Sequence, residues 1–210
     1  KVSSVGGGEL GGLLVTGGSQ EYQQNISLIS NTTLQGSAGI LGGSFDGDNN
    51  DFLMNFAGTT SIGGGISNVG NFTSVGAVDV TSDIATTGSQ KYQNLVRLNA
   101  NATFTGTSGT FTGGLDGNAN DLTLNFSSIT TIDGNNVFSD LGSLTSHGDV
   151  NLNGTIVTAN VQAYEANMTL IGPTVLQAQQ GVINGTLNGN SNDLTLNFAT
   201  ETAIAGDGNG

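Results

Sequence analysis

The chain has 210 residues, a formal net charge of −13 and only 9% charged residues. Its 3 lysines and arginines cannot neutralise a phosphate backbone or an anionic bilayer surface, which argues against nucleic-acid and membrane partners. Cysteine is absent, and 35 glycines argue against long helices, since each one inside a helix costs about 1 kcal/mol relative to alanine.

In chain order, the first recognisable run is TGGSQEY (16–22), followed by inward candidates Ile26, Leu28, Leu34, Leu41 and Phe45. An acidic turn, Asp46-Gly47-Asp48-Asn49-Asn50-Asp51, leads into FLMNF ending at Phe56, and Ile62 closes the unit. The same order returns with TTGSQKY (86–92), then Val96, Leu98, Phe104, Phe111 and Leu115, then GNANDLTLNF ending at Phe126, and Ile132. It returns again with TANVQAY (158–164), then Met168, Leu170, Leu176, Ile183 and Leu187, then GNSNDLTLNF ending at Phe198, and Ile204. Phe56 to Phe126 is 70 residues and Phe126 to Phe198 is 72, so the chain divides into units at about 1–65, 66–136 and 137–210 of a single repeat array.

Apolar residues sit two apart in Phe52-Leu53-Met54-Asn55-Phe56 and in Leu122-Thr123-Leu124-Asn125-Phe126, the period of a strand with one buried face. Asp46-Gly47, Asp116-Gly117, Asn153-Gly154 and Asn188-Gly189 are dipeptides that accept positive φ and read as tight turns. Pro173 is the one proline, which suits a chain held by ladder hydrogen bonds. Two all-β folds meet these facts. One is a right-handed parallel β-helix in which each unit makes about three coils, nine in all, giving a rod about 40 Å long at the usual strand spacing. The other is a string of small β-sandwich domains. The absence of a linker between units, and of a tryptophan or disulfide to hold a sandwich core, favours the β-helix.

Candidate chemistry is sparse. The turn 46–51 carries oxygen ligands at calcium-loop spacing, but its equivalents lose the charge, fading to Asp116, Asn118, Asn120 and Asp121 and then to Asn188, Asn190, Asn192 and Asp193. Turn capping accounts for the same residues. His147, the sole histidine, lies two residues from Asp149 but has no counterpart in the other units, so it reads as a loop residue. Asp79, Asp83, Asp116, Asp121, Asp133, Asp140 and Glu165 could supply a glycosidase pair. Only Arg97 and Lys91 remain inside the array to hold an acidic substrate, so no enzyme activity is expected. A threonine array at Thr103, Thr105, Thr107, Thr110 and Thr112, of the kind that could order water, is not sustained in the other units. Sequons at Asn25, Asn31, Asn71, Asn101, Asn125, Asn153, Asn167 and Asn184 exceed chance only slightly. The recurring tyrosines Tyr22, Tyr92 and Tyr164 could line a stripe that stacks on sugars, or pack as a ladder at a turn. No catalytic, cofactor or metal residue is assigned.

The run TGSQKYQNLVRLNANATFTG, followed by FTGGLDGNANDLTLNF, resembles the repeats of filamentous-haemagglutinin-like and autotransporter-like bacterial surface adhesins. The resemblance spans about 16–204 and implies export, a parallel β-helix stalk, and a part in adhesion, biofilm or fibre formation. It carries over no catalytic residue. Composition agrees with an extracellular setting, being cysteine-free, lysine-poor, acidic and rich in Thr, Asn and Gly. The expected role is thus a structural segment of a longer surface protein, a stalk or fibre body that self-associates end to end into filaments. A carbohydrate- or receptor-binding module and a polysaccharide-degrading β-helix are the rivals.

Overall fold

A computed structural model describes residues 1–133 and 137–205. Every strand pairing among them is parallel, and no helix occurs. The antiparallel hairpins that a sandwich requires are therefore missing, and the chain is a parallel β-helix. The unit boundary near 136 and the last residues of the third unit fall outside the described residues.

Three flat segments make one turn, and each segment pairs with the segment one turn later. The first face starts at Val2–Ser4 and runs through partners Val2, Gln20, Gly39, Thr60, Val78, Val96, Leu115, Phe138, Ile156, Leu176 and Leu196. The second starts at Gly8 and ends at Ile204; the third starts at Gly12 and ends at Leu187. Ten steps of one turn thus lead from Val2 to Leu196, one more than the nine coils read from the sequence.

The larger correction concerns the repeat itself. Tyr22 lies on the first face, Tyr92 on the third and Tyr164 on the second. Eleven segments separate each tyrosine from the next, so a repeat is two-thirds of a turn longer than three coils. Equivalent residues consequently appear on a different face in each unit. The reason lies at the corners. In strand Ala102–Phe111 the chain passes from the second face to the third with only a register shift between Gly106 and Ser108. Only a lone glycine, Gly106, marks that corner within one continuous strand, so counting breaks undercounts segments.

Inward side chains stack layer by layer into one dry core. Aromatic rings form a chain through it: Tyr22–Phe45, Phe45–Phe52, Phe52–Phe72, Phe72–Tyr92, Tyr92–Phe111 and Phe111–Phe138, with centroids 4.9 to 5.9 Å apart. Such contacts add about 0.5–1.5 kcal/mol each beyond area burial. Two glycines explain how the rings fit. A Cβ on Gly39 would lie 2.8 Å from the Phe56 ring, and one on Gly109 would enter the Phe126 ring. The turn dipeptides behave differently from expectation. Only Asn153-Gly154 places positive φ on its glycine. In the others it falls on the residues that follow, Asp48-Asn49, Asn118-Ala119 and Asn190-Ser191, while Gly47 and Gly117 give clearance to the backbones of Val69 and Leu141.

Phe104 is fully buried and stacks beside the Tyr92–Phe111 pair. Its replacement, Phe104→Ala, is expected to cost about 3–5 kcal/mol in urea unfolding followed by circular dichroism. Exposed Ile29→Ser should stay within about 0.5 kcal/mol of the parent.

Candidate functional site

The most regular polar feature is buried. Gln20, Gln90 and Gln162 lie inside the rod, and each is followed two residues later by a buried tyrosine. The side-chain amide of Gln90 donates to the Ile84 carbonyl at 3.0 Å and to the Thr105 carbonyl of the next turn at 2.8 Å. Tyr92 OH donates to Gln90 Oε1 at 2.8 Å. Gln20 with Tyr22 and Gln162 with Tyr164 repeat the arrangement on the other faces. Each clamp satisfies carbonyls released where the chain changes face and ties adjacent turns together. The sugar-stacking stripe is therefore overturned: the tyrosines are at most 1% exposed and point inward on three different faces. The signal was present in the sequence, because period-two alternation puts glutamine and tyrosine on the same side.

The acidic turn is a capping structure. Asp46 Oδ1 accepts from the Asp48 amide and the Asn68 side chain, while Asn50 Nδ2 donates to the carbonyls of Leu28 and Gly47. Asp51 Oδ1 accepts from the Asn71 amide at 2.8 Å and its side chain at 3.0 Å. Among the described residues no group of three or more His, Cys, Asp or Glu side chains is placed to hold a metal ion. His147 bonds Glu165 of the next turn at 2.7 Å, and Asp149 instead caps the Asn167 amide, so the sequence neighbours do not form a catalytic pair. The threonine run is divided by the corner at Gly106, which places Thr103 and Thr105 on one face and Thr110 on another. Several sequon asparagines are capping residues too: Asn25, Asn31, Asn71, Asn101 and Asn167 each accept an amide from the following turn.

Of the carboxylates, Asp83 and Asp133 are engaged with Thr103 and Asn153. Arg97 bonds Asp116 at 3.0 Å and sits beside Asp79, and the two acids raise the guanidinium pKa, with Asp116 the main cause. Asp116 and Asp140 do share one open groove of about 550 Å³, with Leu141, Val157 and Thr158. It continues along the rod past Thr158 and Ala159 to Gln177, Asn197 and Phe198.

The two ends of the rod differ from its body. Among the described residues, Val2–Ser4 and Gly8–Val15 pair on one side only, as does Leu194–Ile204 at the other end. The first end exposes Val2 (39%), Leu13 (66%) and Val15 (58%), and the second exposes Ile204 (49%). Leu194, Leu196 and Phe198 remain only partly covered. Comparison with protein-family models, curated proteins and solved structures returns no match.

Burial raises the pKa of all three tyrosines, most strongly Tyr92 and Tyr164. A raised folded-state pKa means the phenol stabilises the rod below its unfolded pKa of about 10 and ceases to do so as pH climbs above that value. Stability should therefore hold through neutral pH and fall steeply beyond about pH 10, with tyrosinate absorbance appearing together with loss of the β signal. Tyr92→Phe, which leaves Gln90 Oε1 unpaired, is expected to cost about 1–3 kcal/mol in urea unfolding.

Proposed function

We propose that this chain is a non-enzymatic structural segment of an extracellular bacterial surface protein, serving as a stalk or fibre body that extends by stacking turn on turn. The observation that carries the reading is the unbroken parallel ladder, which pairs turn on turn from Val2 to Leu196 around one dry core and leaves a polar exterior. In a solenoid every turn is stabilised by its neighbours, so the fold gains length by repeating turns without needing a new core. The polar, cysteine-free surface and the adhesin-like repeats support export, and right-handed winding, the usual sense of parallel crossovers, belongs to the same reading. A self-contact that joins unlike ends does not close on itself and produces a filament.

Two measurements test this. Antibodies raised against the chain should label intact cells that make it; labelling that requires permeabilisation would overturn the surface assignment. In sedimentation velocity the mean mass should rise with protein concentration, and rise further with salt, because screening reduces repulsion between rods of charge −13. A single species at every concentration would leave a stalk without self-assembly.

A glycan-binding reading draws on the axial groove rather than on the tyrosines. Its polar lining, Asp116, Asn118, Asp140, Gln177 and Asn197, carries acceptors and amides suited to neutral sugars. Glycan-array signal abolished by filling the groove with Ala159→Trp would support it.

A further inference from the structure

We propose that the turns between Thr130 and Thr158 form a seam built into the rod, a place where it parts while the turns on either side stay folded. Paired turns flank this stretch both below and above. Its use as an extensible joint in a surface stalk rests on the stalk reading; the seam itself does not.

Three observations meet here. Among the described residues, four buried side-chain atoms lack a hydrogen-bond partner, and all four lie in this stretch: the hydroxyls of Thr130, Ser146 and Thr158, and Oδ1 of Asn153. The preceding repeat satisfies the same places. Ser74 donates to the Gly76 carbonyl at 3.0 Å, Thr81 to the Ile62 carbonyl at 3.1 Å and Thr86 to the Gly88 carbonyl at 2.9 Å. Ser146, Asn153 and Thr158 stand at the equivalent positions one repeat later, and Asn153 engages only its amide, with Asp133. For Thr158 the cause is visible. A Cβ on Gly106 would lie 2.5 Å from Thr86 Oγ1, so the bonded hydroxyl fits only against a glycine. One repeat on, that glycine is Ala178, and Gly88 has become Asn160.

The second observation is a break in the aromatic path. Rings follow one another as far as Phe111 and Phe138, 5.4 Å apart, and no ring pair among the described residues leads on to Tyr164. The inward position between Leu124 and Tyr164 is filled instead by the small side chain of Ser146. Third, the groove of about 550 Å³ cuts across the same turns, with Asp116, Leu141 and Thr158 contributed by three successive ones.

A buried polar group without a partner is unfavourable only while it stays buried, because water bonds it once the turns separate. The backbone ladder still crosses the stretch, from Ile129↔Asp149 to Leu144↔Gln162, so the seam is closed at rest. In an array held by nearest-neighbour contacts, opening concentrates at the weakest one.

Hydrogen exchange of the intact chain at neutral pH, resolved by mass spectrometry of peptic fragments, tests the seam. Amides in 130–158 should exchange about tenfold or more faster than those in 60–86 and those in 168–176, the factor that one unpaired buried group carries in a local opening equilibrium. Uniform protection, or protection that declines smoothly toward the ends, overturns the proposal. Variants give a second readout, by sign. Thr158→Val and Ser146→Ala remove unpaired hydroxyls and should slow exchange at the seam and raise the melting temperature. Thr86→Val and Ser74→Ala remove bonded hydroxyls and should lower it. Shifts of the same sign in both pairs overturn the seam. Surface labelling that fails while the exchange pattern holds removes the stalk and leaves the seam standing.

Discussion

In a parallel ladder that keeps register, each inward side chain lies directly over its partner in the preceding turn. The core is then a column of layers rather than a pool, and every layer has to match only two others. This constraint accounts for most of what the rod contains. Rings gather where rings lie beneath them, from Tyr22 to Phe138, and glycine appears where a ring leans across the layer, at Gly39 and Gly109. Stability is built from nearest-neighbour increments.

Polar groups enter that core under strict terms. Each time the chain changes face, carbonyls turn away from the ladder, and a buried carbonyl without a donor costs about 1–3 kcal/mol. The three glutamines meet that demand from inside, and the tyrosine hydroxyls complete them. Asparagine and aspartate do comparable work outside, passing amide bonds from one turn to the next, as in the series Asn31, Asp51, Asn71 and Ser89. The third unit keeps this scheme less fully: the Ser146 and Thr158 hydroxyls lack a partner, while their equivalents Ser74 and Thr86 bond the carbonyls of Gly76 and Gly88.

Much of the architecture was legible because the alternation in Phe52–Phe56 and its two copies survives on any face. The aligned apolar positions correctly implied a shared core. The number of segments per unit was not legible, since Leu122–Ile132 bends round a corner with neither glycine nor proline and Ala102–Phe111 does so at a lone glycine, so each reads as one element. Glutamine hid its burial behind its polarity; only its constant spacing from tyrosine betrayed it. The acidic turn looked like an ion loop because capping and coordination draw on the same oxygens, and sequence alone does not say which amides lie within reach. The groove beside Asp116 and Asp140 was invisible for a related reason. It arises where corners from successive turns stack, and residues about twenty apart carry no mark of adjacency.

The mismatch between eleven segments and three faces has a consequence for how such a protein evolves. Copying or deleting one unit changes the length of the rod and also swings everything beyond the edit through a third of a revolution. Only edits in multiples of three preserve the azimuth of a distal tip. A lineage that depends on which way the far end points should therefore gain and lose its copies in triplets, whereas one that needs only reach is free to vary them singly.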